Sequence, residues 1–123
     1  MEALSPQLDP DHATGLDYYP LARPGERFPI NDPTFPPRLT PRPEERGRFL
    51  QALFEGVAAV EALGYARLAE LGAPPLRSVR TVGGGARNAA WTRIRARVLG
   101  APMPDARSDE AAYGAALLAR AGA

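Results

Sequence analysis

The chain has 123 residues, 15 basic and 14 acidic side chains and a formal net charge of +1, so it carries no broad electrostatic pull toward nucleic acid or an anionic membrane. Cysteine is absent and every basic residue is arginine. That excludes disulfides, thiolate nucleophiles, Cys-based zinc sites, a P-loop lysine and a Schiff-base lysine. The length fits one domain or a piece of one. No apolar run approaches the roughly 20 residues of a membrane span. The start, MEALSPQLDP, lacks the basic and apolar regions of a signal peptide, and a cytoplasmic protein is expected.

Residues 1–42 are proline-dense, and prolines remove backbone donors and restrict the residues before them. Tyr18, Tyr19, Leu21, Phe28, Ile30 and Phe35 are interleaved with them, which a disordered linker would lack. An extended segment, with a hairpin, laid over a hydrophobic surface is expected. Pro43 to Leu71 reads as the longest helix: Pro43 suits its first position, Glu44 and Glu45 its positive end, and apolar residues from Leu50 to Leu68 recur at three- and four-residue spacing. Gly56 and Gly64 each cost about 1 kcal/mol relative to alanine inside a helix, a cost that close packing of another backbone would offset. Gly72 is a C-terminal cap and Pro74 and Pro75 prevent continuation.

Leu76 to Val82 is predicted as a strand that feeds Gly83, Gly84 and Gly85. Asn88 is the N-cap of the next helix, in which Trp91, Ile94, Arg95 and Val98 share a face and which Gly100 closes. Ala101 to Met103 reads as a short strand. Ser108 or Asp109 caps a narrow, alanine-rich last helix, with Asp109 and Glu110 at its positive end.

Strand, glycine loop and helix start form an arrangement suited to a phosphate or nucleotide, because glycines let a ligand approach the backbone and the helix end offers free N–H groups. A plain strand-to-helix turn needs one glycine or two; three in a row cost backbone entropy, so something is expected to approach them. No Gly-Lys-Ser/Thr follows, and a GxGxxG fingerprint would put glycine where Asn88 stands. Asn88 can cap the helix or offer its amide to a purine edge or ribose. Trp91 can stack on a base, although its spacing favours a core position. His12 beside Asp9 and Asp11 reads as a solvated loop cluster more readily than as a metal site. Arg93, Arg95 and Arg97 could meet phosphate, but their spacing spreads them over more than one helix face. Nothing activates Asp32 or Asp105 as a general base.

Four segments together resemble one family. TVGGGARNAAWTRIRARVLGAPM followed by EAAYGAALLA is similar to the C-terminal end of FGGY-family carbohydrate kinases. LDYYPLARPGERFPINDP resembles the family's segment with a Gly-Glu-Arg and an Asp-Pro, and FLQALFEGVAAVEALGY its long helix with a central Glu-Gly. The wording Tyr-Tyr-Pro-Leu and Gly-Gly-Gly-Ala-Arg-Asn resembles most the pentulose kinases acting on D-ribulose or xylulose. The resemblance covers nearly the whole chain, in order.

It implies an α/β fold, part of an actin-like, ribonuclease-H-like ATPase lobe. In chain order this would run as extended segment, long helix, strand, glycine loop, helix, short strand and helix. Residues 1–42 would pack on the lobe and residues 43–123 would form the C-terminal α/β part of the kinase's second lobe. Gly83, Gly84 and Gly85 would approach the ATP ribose and phosphates, Asn88 would meet the adenine or ribose with Trp91 nearby, and Gly114 would let the last helix pack closely. Mg²⁺ would arrive on the nucleotide. The family's catalytic aspartate lies upstream of the matched region, so no catalytic residue carries over, and the sugar would be held through a first lobe that has no counterpart here. The chain is thus expected to be the ATP side of a sugar kinase that transfers the γ-phosphate to a pentulose hydroxyl. It would be inactive alone and would self-associate or take a partner chain supplying the first lobe. Two other readings are a non-catalytic nucleotide-binding or interaction module and, further off, an NAD-binding oxidoreductase fragment.

Overall fold

The computed structural model of the protein describes residues 5–122. The first four residues of the expected extended segment and the final residue of the expected C-terminal part lie outside the described residues.

Three helices carry the structure: α1 (Arg46–Glu70), α2 (Ala89–Leu99) and α3 (Ala111–Ala121). α1 begins three residues later than Pro43 predicts. The Tyr18 hydroxyl donates to the Pro41 carbonyl at 2.5 Å and draws the preceding chain to the proline-rich layer, so the first helical bond runs from the Phe49 N–H to the Glu45 carbonyl. At its other end, Gly72 takes φ +102°, donates to the Ala69 carbonyl, and Ala73 donates to the Leu68 carbonyl. That pair of bonds is a Schellman motif, which glycine permits without strain.

The proline-rich segment lies along α1. Tyr18 and Tyr19 are buried, and antiparallel bridges join Tyr19 to Arg38 and Glu26 to Asp32. The two bridges make a tightened hairpin. Gly25, at φ +114°, lies so near the Pro33 carbonyl that a Cβ would sit 2.9 Å from its oxygen. The Tyr19 hydroxyl donates to Glu26 Oε2 at 2.8 Å; burial and that carboxylate push its pKa up to about 12. The Gly-Glu-Arg and Asp-Pro segments are therefore two sides of one closed loop. Gly56 and Gly64 of α1 face this layer. A Cβ on Gly56 would meet the Tyr18 carbonyl oxygen at 2.9 Å, and one on Gly64 the Phe28 ring at 3.1 Å. The close backbone approach expected from their propensity cost is present at Gly56.

α2 packs on the opposite flank of α1. Phe54 and Trp91 meet with ring centroids 5.3 Å apart, and Ile94 is fully buried between the helices. By length and composition alone α1 is apolar enough to cross a membrane, contrary to the expectation that no run reaches that length. Its alanines raise the average, and it is the core helix here. Its Gln51 and Glu55 are buried, and Glu55 and Glu61 bind arginines of α2.

The α/β expectation needs correction in detail. Among the described residues no run of strand forms at Leu76 to Val82 or at Ala101 to Met103. The two stretches do lie side by side, joined by one bond from the Val79 N–H to the Pro102 carbonyl at 3.0 Å. Pro74, Pro75, Pro102 and Pro104 lack the donors a longer ladder requires. The last helix also starts late, at Ala111. Ser108 Oγ accepts from the Glu110 N–H at 3.1 Å, while Asp109 is diverted to Arg87. Every described position of α3 is exposed, Leu118 at 77 %.

Candidate functional site

The glycine loop turns over a short 3₁₀ helix, Gly84–Arg87, whose N-cap Gly83 takes φ +85°. At that angle any side chain is strained, so glycine is required there by the backbone. Gly84 is different. Its φ is ordinary, it is exposed, and a Cβ built on it meets nothing within 4 Å. Nothing within the described chain explains a glycine at that position. Gly85 lies over the indole of Trp91, where a Cβ would touch Cδ1 and Nε1 at 3.5 Å.

The loop runs directly into α2. Asn88 Oδ1 accepts from the Trp91 N–H at 3.0 Å, the bond that defines an N-cap, and its Nδ2 donates to Ser5 Oγ at 3.0 Å. The asparagine amide is therefore engaged at both ends, with one Nδ2 hydrogen left over. Asn88→Ala should destabilise the chain by about 1 kcal/mol. Thermal denaturation followed by circular dichroism checks this, and no loss of stability would mean that the cap bond carries no weight.

Between this loop and the first described turn of the chain lies a cleft of ≈ 680 Å³, walled by Ser5, Pro6, Gly84, Gly85, Arg87, Asn88, Ala89, Ala90 and Arg93 among others. Ala89 and Ala90 belong to the first turn of α2, whose N–H groups have no intrahelical partner and lie at the positive end of the dipole. On the other side of the loop a polar cavity of ≈ 430 Å³ contains Thr81, Asp105, Arg107, Ser108 and Asp109.

The loop is tied down from both flanks. Gly83 N–H donates to the Asp109 carbonyl. Arg87 Nε donates to Asp109 Oδ2 at 2.8 Å, and its terminal nitrogen reaches Glu110. The hydrogen bond from the Arg87 guanidinium holds the Asp109 carboxyl below the usual carboxylate range, and Asp109 in turn raises Arg87. Arg87 is exposed and Asp109 half-buried, so solvent reaches this contact and it is sensitive to salt.

The three arginines of α2 are each committed to a carboxylate of this chain. Arg93 binds Asp11. Arg95, buried, donates to Glu61 through two nitrogens at 2.8 and 2.6 Å and to Thr81 Oγ1 at 2.5 Å. Arg97 donates to Glu55 at 2.9 Å and to the Pro10 carbonyl at 2.9 Å. Their spread over the helix surface is thus resolved into three separate clamps, and no basic groove results. His12 pairs with Asp9 at 2.9 Å while Asp11 turns to Arg93, so these three side chains do not converge on one centre. Asp32 closes its own turn by accepting from Thr34 N–H and hydroxyl at 2.8 and 2.9 Å. Trp91 sits between Phe54 and Arg95 beneath the loop and is not part of the cleft wall. Gly114 has open space around it.

Sequence reading had no means of finding Asp109 and Ser5 as partners of the loop. They lie 22 and 83 residues from Arg87 and Asn88. The Glu61–Arg95 pair had a faint signal, an acidic residue on the helix that the arginine face must cover.

The model of the C-terminal domain of the FGGY family of carbohydrate kinases matches residues 1–123 of the chain.

Proposed function

The chain belongs to the FGGY family of carbohydrate kinases, and from that premise we propose that its glycine loop and the start of α2 form the ATP side of a sugar kinase. The family's enzymes are ATP-dependent phosphotransferases that bind ATP and a sugar, and the C-terminal domain is part of a ribonuclease-H-like, actin-like kinase fold. In this reading Gly83 to Gly85 admit the ribose and phosphates, Asn88 offers its remaining amide hydrogen to the ribose or base, and the α2 N–H groups meet phosphate oxygens. The acceptor is a pentulose of the ribulose or xylulose kind.

One observation carries the reading. Gly84 is an exposed glycine with ordinary φ and empty space where a side chain would go, on the wall of the ≈ 680 Å³ cleft, beside a helix N-terminus. Internal packing does not ask for glycine there, whereas a ligand lying against the backbone does. In this reading Mg²⁺ comes with the nucleotide phosphates.

The test follows from the same geometry. Gly84→Asp adds a carboxylate at the cleft wall, at a position where the Cβ meets nothing within 4 Å. It should leave the melting temperature in place and weaken ATP binding at least about tenfold, as one repulsive charge near phosphate warrants. Calorimetric titration of the two chains checks it, and equal affinities would place the nucleotide elsewhere.

A further inference from the structure

The loop is held in shape from below as well as from its flanks, and one side chain does most of that. Arg95 is 7 % exposed. Its Nε and one terminal nitrogen grip Glu61 of α1, and its other terminal nitrogen donates to Thr81 Oγ1 at 2.5 Å, two residues before Gly83. Its guanidinium carbon lies 5.4 Å from the Trp91 ring centroid, and the pyrrole edge of that indole supports Gly85. One buried cation therefore fixes both the entrance of the loop and its floor. The fork geometry of arginine suits this: two donors on one carboxylate leave a third for the threonine, and the flat face remains for the indole.

We propose that Arg95 is a positioning residue for the nucleotide loop: anchored by Glu61, it holds Thr81 and Trp91 so that Gly84 and the first turn of α2 face the cleft in their ligand-ready arrangement. This assignment rests on the reading of the cleft as the ATP side of the kinase. Trp91 acts as the loop's support and not as a platform for a base. The carboxylate is needed because a buried guanidinium without one would be costly, and its hydrogen bonds to Glu61 raise the Arg95 pKa.

Two gentle substitutions separate positioning from stability. Thr81→Val removes only the bond to the loop entrance. Arg95→Lys keeps the charge and loses the fork. The readout is amide hydrogen exchange at Ala86 and Asn88, whose N–H groups close the loop on the Gly83 and Gly85 carbonyls at 3.1 and 3.2 Å, compared with core amides of α1 and α2. In both variants the loop amides should exchange about tenfold faster while the core amides hold, because opening becomes local to the loop. Trp91→Ala should do the same and Trp91→Phe should restore most of the protection. ATP affinity should fall in parallel, again by about tenfold. Unchanged ratios of loop to core exchange in Thr81→Val and Arg95→Lys would overturn the assignment. A wild-type chain that shows the exchange pattern but takes no ATP would instead overturn the nucleotide reading, so the two failures are distinguishable.

Discussion

A Gly56→Val chain should be less stable than the parent by about 3 kcal/mol, a large share of the total for a single small domain. The obstruction is at the Cβ itself, which would lie 2.9 Å from the Tyr18 carbonyl oxygen, 3.0 Å from Pro20 Cδ and 3.0 Å from Tyr18 Cβ. Two of those are groups that cannot swing aside: a backbone carbonyl and a proline ring. Removing glycine from a helix interior returns less than about 1 kcal/mol of helix propensity, so the clash decides the sign. Residues 14–20 must lift from α1, exposing Tyr18 and Tyr19. Urea denaturation of both chains measures it. A variant as stable as the parent would show that the proline-rich layer does not depend on this contact.

Loss of the neighbouring side chain should cost about as much by a different route. Glu55 is buried and accepts from the Thr14 hydroxyl at 2.6 Å, the Thr14 N–H at 3.2 Å, Gln51 at 3.1 Å and Arg97 at 2.9 Å. It joins three parts of the chain: α1, the proline-rich segment and α2. Glu55→Ala strands an arginine and several donors at a site with little water, and about 3 kcal/mol of destabilisation is expected.

The same carboxylate sets a pH dependence. Burial pushes its pKa up, but hydrogen bonds from Thr14, Gln51 and Arg97 outweigh burial and hold it below its ordinary value of 4.5. A group whose value is lower in the folded state contributes stability that is complete above its unfolded value and is lost as pH falls through the folded one. The parent should therefore lose stability below about pH 4.5, and Glu55→Gln should lose less over the same interval. Urea midpoints at pH 7, 5, 4 and 3 check this; parallel curves for the two chains would remove Glu55 from the acid response.

Local features of the fold were legible where chemistry is local. Asn88 caps α2, Gly72 and Gly100 end helices, and the apolar spacing from Leu50 to Leu68 marks the long helix. Gly56 and Gly64 of α1 were readable as points of close approach because their propensity cost needs a reason. The strands were misread because β-rich composition at Leu76 to Val82 speaks to one segment, while a ladder needs donors on its neighbour, and Pro102 and Pro104 withhold them. Of the candidate cleft, Gly84, Gly85 and Asn88 were named from the sequence, while the side chains that support the loop were not named as its supports. Arg95 looked like a member of an arginine cluster; its partners Glu61 and Thr81 lie on other elements, 34 and 14 residues away, and no periodicity links them. Trp91 was readable as a core residue by spacing, and its contact with Phe54 agrees with that.

The most direct measurement of the central claim is the fluorescence of Trp91, the single tryptophan of the chain, during titration with ATP and, separately, with NAD. The indole lies against Gly85, so a nucleotide settling on the loop must alter its surroundings. A saturable change with ATP, absent with NAD and lost in Gly84→Asp, is the predicted result. A flat response to ATP, or a response to NAD alone, from a chain that circular dichroism shows to be folded would contradict it.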